Sequence, residues 1–239
     1  MIRINKYLSQ CGVTSRRGAD QLIKLGKVTV NDKTVETPGL IIDELNDTVK
    51  VNGTTAVPVL NKLYILFNKP ADVLTTLHDP FKRKTVTQFL RRVPSRVYPV
   101  GRLDYDTEGV LILTNDGDLA YRLAHPKYGV KKVYHAIVKG VFTREAAKKI
   151  SSGIKLADGH IGKAETKLMM SNGKTSRVEL ILTEGHKREV KQLLKLVGYP
   201  LKTLRRLEFA GIRVDGLKMG RWRYLNFREV RRLKDLVGL

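Results

Sequence analysis

The sequence predicts an α+β protein: a small N-terminal α/β unit, then a larger unit built on a mixed, mainly antiparallel sheet flanked by helices. Three observations carry this. A chain of 239 residues is long for one domain and comfortable for a small one plus a larger one. Hydrophobic residues make up 42 %, enough for packed cores rather than bulk disorder. Beyond residue 62, strand-like runs outnumber helical ones at irregular spacing, which argues against regular βαβ alternation. The expected boundaries are 1–53 for the small unit, 54–62 for a linker and 63–239 for the large unit.

The small unit reads as helix, helix, hairpin. Ile4, Tyr7, Leu8 and Cys11 recur at helical spacing, and Gly12 stops the run. Ser15 can cap a second helix with apolar positions Ala19, Leu22, Ile23 and Leu25, closed by Gly26. Val28-Thr29-Val30 alternates like a strand, Asn31-Asp32 turns tightly, and Lys33-Thr34-Val35 returns. A further strand is expected at 48–51, before the Asn52-Gly53 turn. Pro58 discourages both helix and central strand, so 54–62 reads as linker. In the large unit, strands are expected at 63–67, 110–113, 133–138, 177–182 and 224–225. Short helices are expected near 86–91, 119–124, 144–151 and 188–197.

Charge narrows the partner. There are 45 Lys and Arg against 23 Asp and Glu, a net charge of +22. Small-metabolite chemistry has no need of this imbalance, whereas phosphates do, because Lys and Arg gain affinity by releasing condensed counterions. The plain alternative is a solubility device, yet far less charge suffices for that. A membrane surface fits poorly: there is no long apolar span and no helix setting bulky apolar residues against a basic face. Cys11 is the single cysteine, so an internal disulfide and a cysteine-based metal site are excluded. The first residues lack the apolar stretch of a signal peptide, and a cytoplasmic, monomeric protein is expected.

Residues 1–50 resemble the S4 domain, a small RNA-binding module. The match rests on Arg3-Ile4-Asn5-Lys6-Tyr7-Leu8, Gly12, Ser15-Arg16-Arg17, Ala19, Leu22-Ile23, Gly26 and Val28-Thr29-Val30-Asn31. Arg3, Lys6, Arg16, Arg17, Lys24 and Lys27 are the candidate RNA contacts, since phosphate binding is the usual purpose of a one-sided basic face.

The stretch richest in chemistry is Gly101-Arg102-Leu103-Asp104-Tyr105-Asp106-Thr107-Glu108-Gly109. A glycine at each end permits tight turns, so the polar residues between sit on a loop held by the strand that follows. Asp104, Asp106 and Glu108 lie within five residues. Clustered carboxylates suit a glycosidase or a divalent ion, and they equally suit a solvated acidic turn. An acidic cluster is nevertheless out of place in so basic a chain if its only task is to hold phosphate.

The pattern Gly101-Arg102-Leu103-Asp104-x-x-Thr107-x-Gly109 resembles the signature of the S4-bearing pseudouridine synthases that act on ribosomal RNA. Further segments match in order: Leu66-Phe67-Asn68-Lys69-Pro70, then Lys132-Val133-Tyr134-His135-Ala136, then Glu184-Gly185-x-x-Arg188-Glu189-Val190-Lys191. Leu204-x-Arg206 and Gly220-x-Trp222-Arg223-x-Leu225 complete the set. The run from Tyr105 to Gly109 and the following Leu113-Thr114-Asn115-Asp116-Gly117-Asp118-Leu119-Ala120 are most similar to the branch that modifies large-subunit ribosomal RNA.

The resemblance implies a fold, a reaction and a set of residues. Isomerising uridine breaks the N1–C1′ bond, rotates the base and joins C5 to C1′. Nothing is gained, lost or oxidised, so no cofactor and no metal are expected. The reaction needs an ionised carboxylate near the sugar, and Asp104 is the matching position, either as nucleophile on C1′ or as base at C2′. A cation beside it keeps it ionised out of water, and Lys191 matches. Tyr134 matches the residue whose ring stacks on uracil and whose hydroxyl assists proton transfer. Arg102 is expected to contact RNA or fill the gap left by an everted uridine, and Arg206 to contact phosphate or shape the pocket. Asp106 and Glu108 read as supporting loop residues. His78, His125, His135, His160 and His186 show no ligand spacing and read as structural. The substrate implied is a uridine in a loop or irregular stem, because a stacked base cannot reach a buried carboxylate. The alternatives are small-subunit RNA as substrate, a non-enzymatic RNA- or ribosome-binding protein, and a glycoside hydrolase.

Overall fold

Apolar side chains at Ile4, Tyr7 and Leu8 bury one side of the first helix, Ile4–Gln10. Ser15 caps the second, Arg16–Lys24, by accepting a 3.0 Å hydrogen bond from the Gly18 amide, and Ala19 and Ile23 are its buried positions. Both helices pack on Val28, Val35, Ile42 and Val49. A four-stranded sheet runs in the order Lys33–Thr34, Val28–Val30, Val49–Val51, Thr54–Thr55, and Ile2–Arg3 pairs separately with Ile41–Ile42. The tight turn at Asn31 and Asp32 takes positive φ at both residues, which Asn and Asp tolerate better than other side chains. Thr54–Thr55 continues this sheet and the Tyr7 hydroxyl donates to the Ala56 carbonyl at 3.0 Å, so the stretch expected as linker begins inside the small unit.

The computed structural model describes residues 1–239 and divides into two units, Met1–Lys62 with Pro94–Arg96, and Leu63–Val93 with Val97–Leu239. The second is built on a nine-stranded sheet. Its main path is Glu165–Ser171, Thr175–Leu182, Lys132–Lys139, Leu201–Phe209, Thr107–Thr114, Tyr64–Lys69 and Trp222–Tyr224. Every pairing is antiparallel except that of Leu201–Phe209 with Thr107–Thr114. Tyr64–Lys69 and Thr107–Thr114 are buried on both faces: Leu66, Val110 and Ile112 enter one core, and Ile65, Phe67, Leu111 and Leu113 enter another. A third core joins Ala136, Val178 and Leu180 to the helices Arg144–Ser152 and Glu189–Leu196. No helix is long and apolar enough to cross a membrane.

The mixed, mainly antiparallel sheet with helices on it is the expected class. Local differences have local causes. The helix expected at 86–91 is a single 3-10 turn, Val86–Phe89. The strand expected from Val110 begins three residues earlier, at Thr107, so Gly109 lies in a strand and not in a turn. Three long elements escaped the sequence reading: the strands Glu165–Ser171 and Leu201–Phe209, and the helix Phe227–Leu236.

Candidate active site

Gly101–Asp106 is a loop feeding the buried Thr107–Thr114 strand, and two buried side chains hold it from below. Lys69 is fully buried, and its Nζ donates to the carbonyls of Pro70, Asp104, Tyr105 and Thr107 at 3.0, 3.1, 3.2 and 2.9 Å. The Thr75 hydroxyl donates to the Leu103 carbonyl at 2.7 Å and accepts from its amide at 3.3 Å. Backbone carbonyls pinned in this way fix where the Asp104 side chain emerges. Burial drives the Lys69 ammonium down to about 8, against the pull of the nearby Asp106 and Asp104 carboxylates.

Gly109 serves a close approach. A Cβ there would overlap the Arg206 backbone carbonyl, and φ is +104°. The sheet register then sets Tyr134, Arg206 and Gly109 side by side on three neighbouring strands. The three matching segments of the sequence thereby meet at one place.

Lys191 arrives from the first turn of the Glu189–Leu196 helix. Its Nζ lies 3.0 Å from Oδ2 of Asp104 and also pairs closely with Asp106. The Asp104 side chain is 31 % exposed and that of Asp106 63 %. Partial burial pushes the Asp106 carboxyl up, but the Lys191 hydrogen bond and charge, with Arg188, hold it below the usual range. Asp104, Lys191, Tyr134, Arg102 and Arg206 line one open cleft.

Arg102 is exposed at the cleft. Of the two expectations for Arg206, contact with phosphate or shaping the pocket, its burial favours the second. It is 3 % exposed, Nε donates to the Val110 carbonyl at 2.8 Å, and the guanidinium lies over the Phe209 ring at 4.7 Å. A side chain so enclosed shapes the floor of the cleft. Nη1 is 3.5 Å from the Tyr134 hydroxyl, a long contact, and Nη2 is buried without a hydrogen-bond partner. In the small unit, Arg3, Arg16, Arg17, Lys24 and Lys27 are exposed and Lys6 is half-buried.

Sequence reasoning missed Lys69 and Thr75 as supports, and Lys132. The Lys132 ammonium is buried at the cleft, donating to the Val130 and Thr183 carbonyls at 2.8 and 3.1 Å. Burial and the neighbouring Arg206 lower it to about 8. A lysine inside an apolar strand run was the available signal at residue 69. Of the histidines, His135 pairs with Glu179 at 3.2 Å, His125 accepts from the Lys127 amide at 3.2 Å, and His78 is exposed. His160 and His186 do come together, ring on ring.

Comparison with known proteins places this geometry. The family model described as RNA pseudouridylate synthase matches residues 63–196, and the S4 domain model matches residues 2–49. A protein of Aquifex aeolicus named as an RNA pseudouridine synthase is 42 % identical, covering 100 % of this chain and 96 % of its own. The ribosomal large subunit pseudouridine synthase B of Bacillus subtilis is 41 % identical, covering 99 % of this chain and 97 % of its own. A crystal structure of a pseudouridylate synthase superposes with a TM-score of 0.71 at 22 % identity, over 98 % of this chain and 100 % of that one. This chain therefore belongs to the RNA pseudouridine synthases that carry an N-terminal S4 domain, isomerases acting on RNA.

Proposed function

We propose that this protein converts a specific uridine of large-subunit ribosomal RNA to pseudouridine, with Asp104 as the catalytic carboxylate. The observation that carries the reading is the 3.0 Å pair between Asp104 Oδ2 and Lys191 Nζ in a cleft shared with Tyr134. Lys191 sets a compensating positive charge against the carboxylate where the RNA displaces water. From there Asp104 attacks C1′ or takes a proton at C2′, and either route frees the uracil to turn. Tyr134 supports the everted base with its ring and serves proton transfer at C5 with its hydroxyl. Arg206, buried in the cleft lining beside the Tyr134 hydroxyl, shapes the pocket that receives the flipped nucleotide. Arg102 stands at the rim and meets the RNA left behind.

Residues 1–53 grip a neighbouring RNA helix through Arg3, Lys6, Arg16, Arg17, Lys24 and Lys27, phosphate contacts that add affinity without reading sequence. The large-subunit substrate is supported by the 41 % identical relative that bears that name over its whole length. Such a substrate sets the work in the cytoplasm. One chain supplies every residue of the constellation, which supports a monomer.

The test is a map of pseudouridines in ribosomal RNA from cells with the protein, without it, and with Asp104→Asn in its place. The expected result is one or a few large-subunit positions lost both in the deletion and in the variant. The variant is expected to keep RNA affinity within about tenfold, roughly 1.4 kcal/mol. Modification by Asp104→Asn would remove Asp104 from its role, and losses confined to small-subunit RNA would overturn the substrate.

A further inference from the structure

One side-chain cluster stands at the edge of the cleft, with Glu184 and His186 among the residues that line it. His160, Glu184 and His186 each offer one ligand atom, and these atoms all lie within 4.8 Å of one another. Oε2 of Glu184 is 3.1 Å from Nε2 of His160 and 3.6 Å from Nε2 of His186. A tetrahedral ion with bonds of about 2.1 Å has ligand-to-ligand edges of about 3.4 Å, so these two separations need little adjustment. The imidazoles stack, centroids 3.5 Å apart and planes at 18°, so taking one ion requires the rings to turn until each nitrogen faces it in its ring plane. Nε2 of His160 is buried and makes no hydrogen bond of acceptable geometry, although Glu184 is so near. A buried nitrogen left without a partner is costly, and a cation on its lone pair removes the cost.

The backbone around the cluster is already fixed. His160 precedes the second strand of the hairpin formed by Ile154–Lys155 and Ile161–Gly162. Its carbonyl accepts from the Leu156 amide at 2.7 Å, and its own amide donates to Oδ1 of Asp158 at 3.1 Å. The His186 amide donates to Oε2 of the buried Glu189 at 2.9 Å. Nδ1 of His186 lies 3.9 Å from Oδ2 of Asp158, on the side from which a carboxylate orients a metal-bound imidazole.

We propose that His160, Glu184 and His186 form a site for a divalent ion of the zinc type, with Asp158 orienting His186 and water in the fourth position. Two imidazoles and one carboxylate are a donor set that zinc accepts with one place open. Magnesium and calcium prefer oxygen ligands throughout. The ion ties the 154–162 hairpin to the segment 184–188, which leads into the helix carrying Lys191. It braces that approach and takes no step in the isomerisation. The site stands whether or not Asp104 is the catalytic group.

The experiment uses the full, untagged chain, stripped with chelator and titrated with zinc chloride by calorimetry. Expected are one zinc per chain with a Kd below about 10 μM, and no response to magnesium at the same concentrations. His160→Ala, His186→Ala and the shape-conserving Glu184→Gln are each expected to weaken zinc by about tenfold or more. Zinc is expected to raise the melting temperature of the wild type and not of the variants. Equal zinc affinity in wild type and variants, no binding at micromolar zinc, or an equal response to magnesium overturns the proposal.

Discussion

Nζ of Lys69 lies 3.1 Å from the backbone carbonyl of Asp104, and the lysine is fully buried beneath the loop it supports. Three further carbonyls, those of Pro70, Tyr105 and Thr107, share the same ammonium. Lys69→Met keeps the length and apolar stem and removes every one of these donors. An unsatisfied buried acceptor costs about 1–3 kcal/mol, so several together should lower stability by about 3 kcal/mol or more. Urea unfolding reads this directly, and an unchanged midpoint would discard the supporting role. Isomerisation should fall as well, since the Asp104 backbone is no longer held.

Gly101 and Gly109 flank the same loop and are expected to respond differently to alanine. Gly101 has φ +68° and open space around its Cα, so Gly101→Ala should cost about 1–2 kcal/mol of backbone strain. Gly109→Ala adds to its strained φ an overlap with the Arg206 carbonyl, in the one parallel strand pair. Pushing those strands apart disturbs the register that aligns Tyr134 with Arg206, and should cost about 3 kcal/mol or more. Equal losses in thermal unfolding would mean that the close approach does not matter.

The same glycine shows where the sequence could and could not be read. Gly109 suggested a turn because glycine usually weakens strands, and only the neighbouring strand, almost a hundred residues later, reveals the close packing it permits. The helices of the small unit were plain from spacing and caps, as were the strand centres with continuous apolar runs. Phe227–Leu236 was missed although Val230, Leu233 and Val237 recur at helical spacing and pack into a core, and its Asn226–Glu229 capping box was a second available clue. Leu201–Phe209 was masked by Arg205 and Arg206 and by register shifts along its pairing with Lys132–Lys139. Asp104, Tyr134 and Lys191 were found through motif resemblance, and no local periodicity would have joined them. His160 and His186 lack ligand spacing along the chain, and the hairpin of 154–162 is what brings their rings together.

Lys191 faces two carboxylates, and they should differ in consequence. Lys191→Met leaves Asp104 without the ammonium that sits 3.0 Å from its Oδ2. With the carboxylate no longer held in place, kcat should fall by about a hundredfold. Asp106→Asn removes the partner whose side chain is 63 % exposed, and should cost less than about tenfold in kcat. A larger loss from Asp106→Asn than from Lys191→Met would shift the chemistry to Asp106.

Lys132 gives a prediction in the alkaline range. Its ammonium titrates near 8 in the folded protein, lowered first by burial and then by Arg206, against an ordinary value of 10.5. Between these limits the unfolded chain holds a proton that the folded chain has shed. Stability linked to this group therefore rises with pH from about 8 to about 10.5 and is flat below. Tyrosine and cysteine titrations overlap this window, so the comparison is with Lys132→Met, which retains them. The difference in unfolding free energy, wild type minus variant, should grow from pH 8 to pH 10. A difference that is constant or shrinks would mean that the ammonium is as well solvated in the cleft as in the open chain.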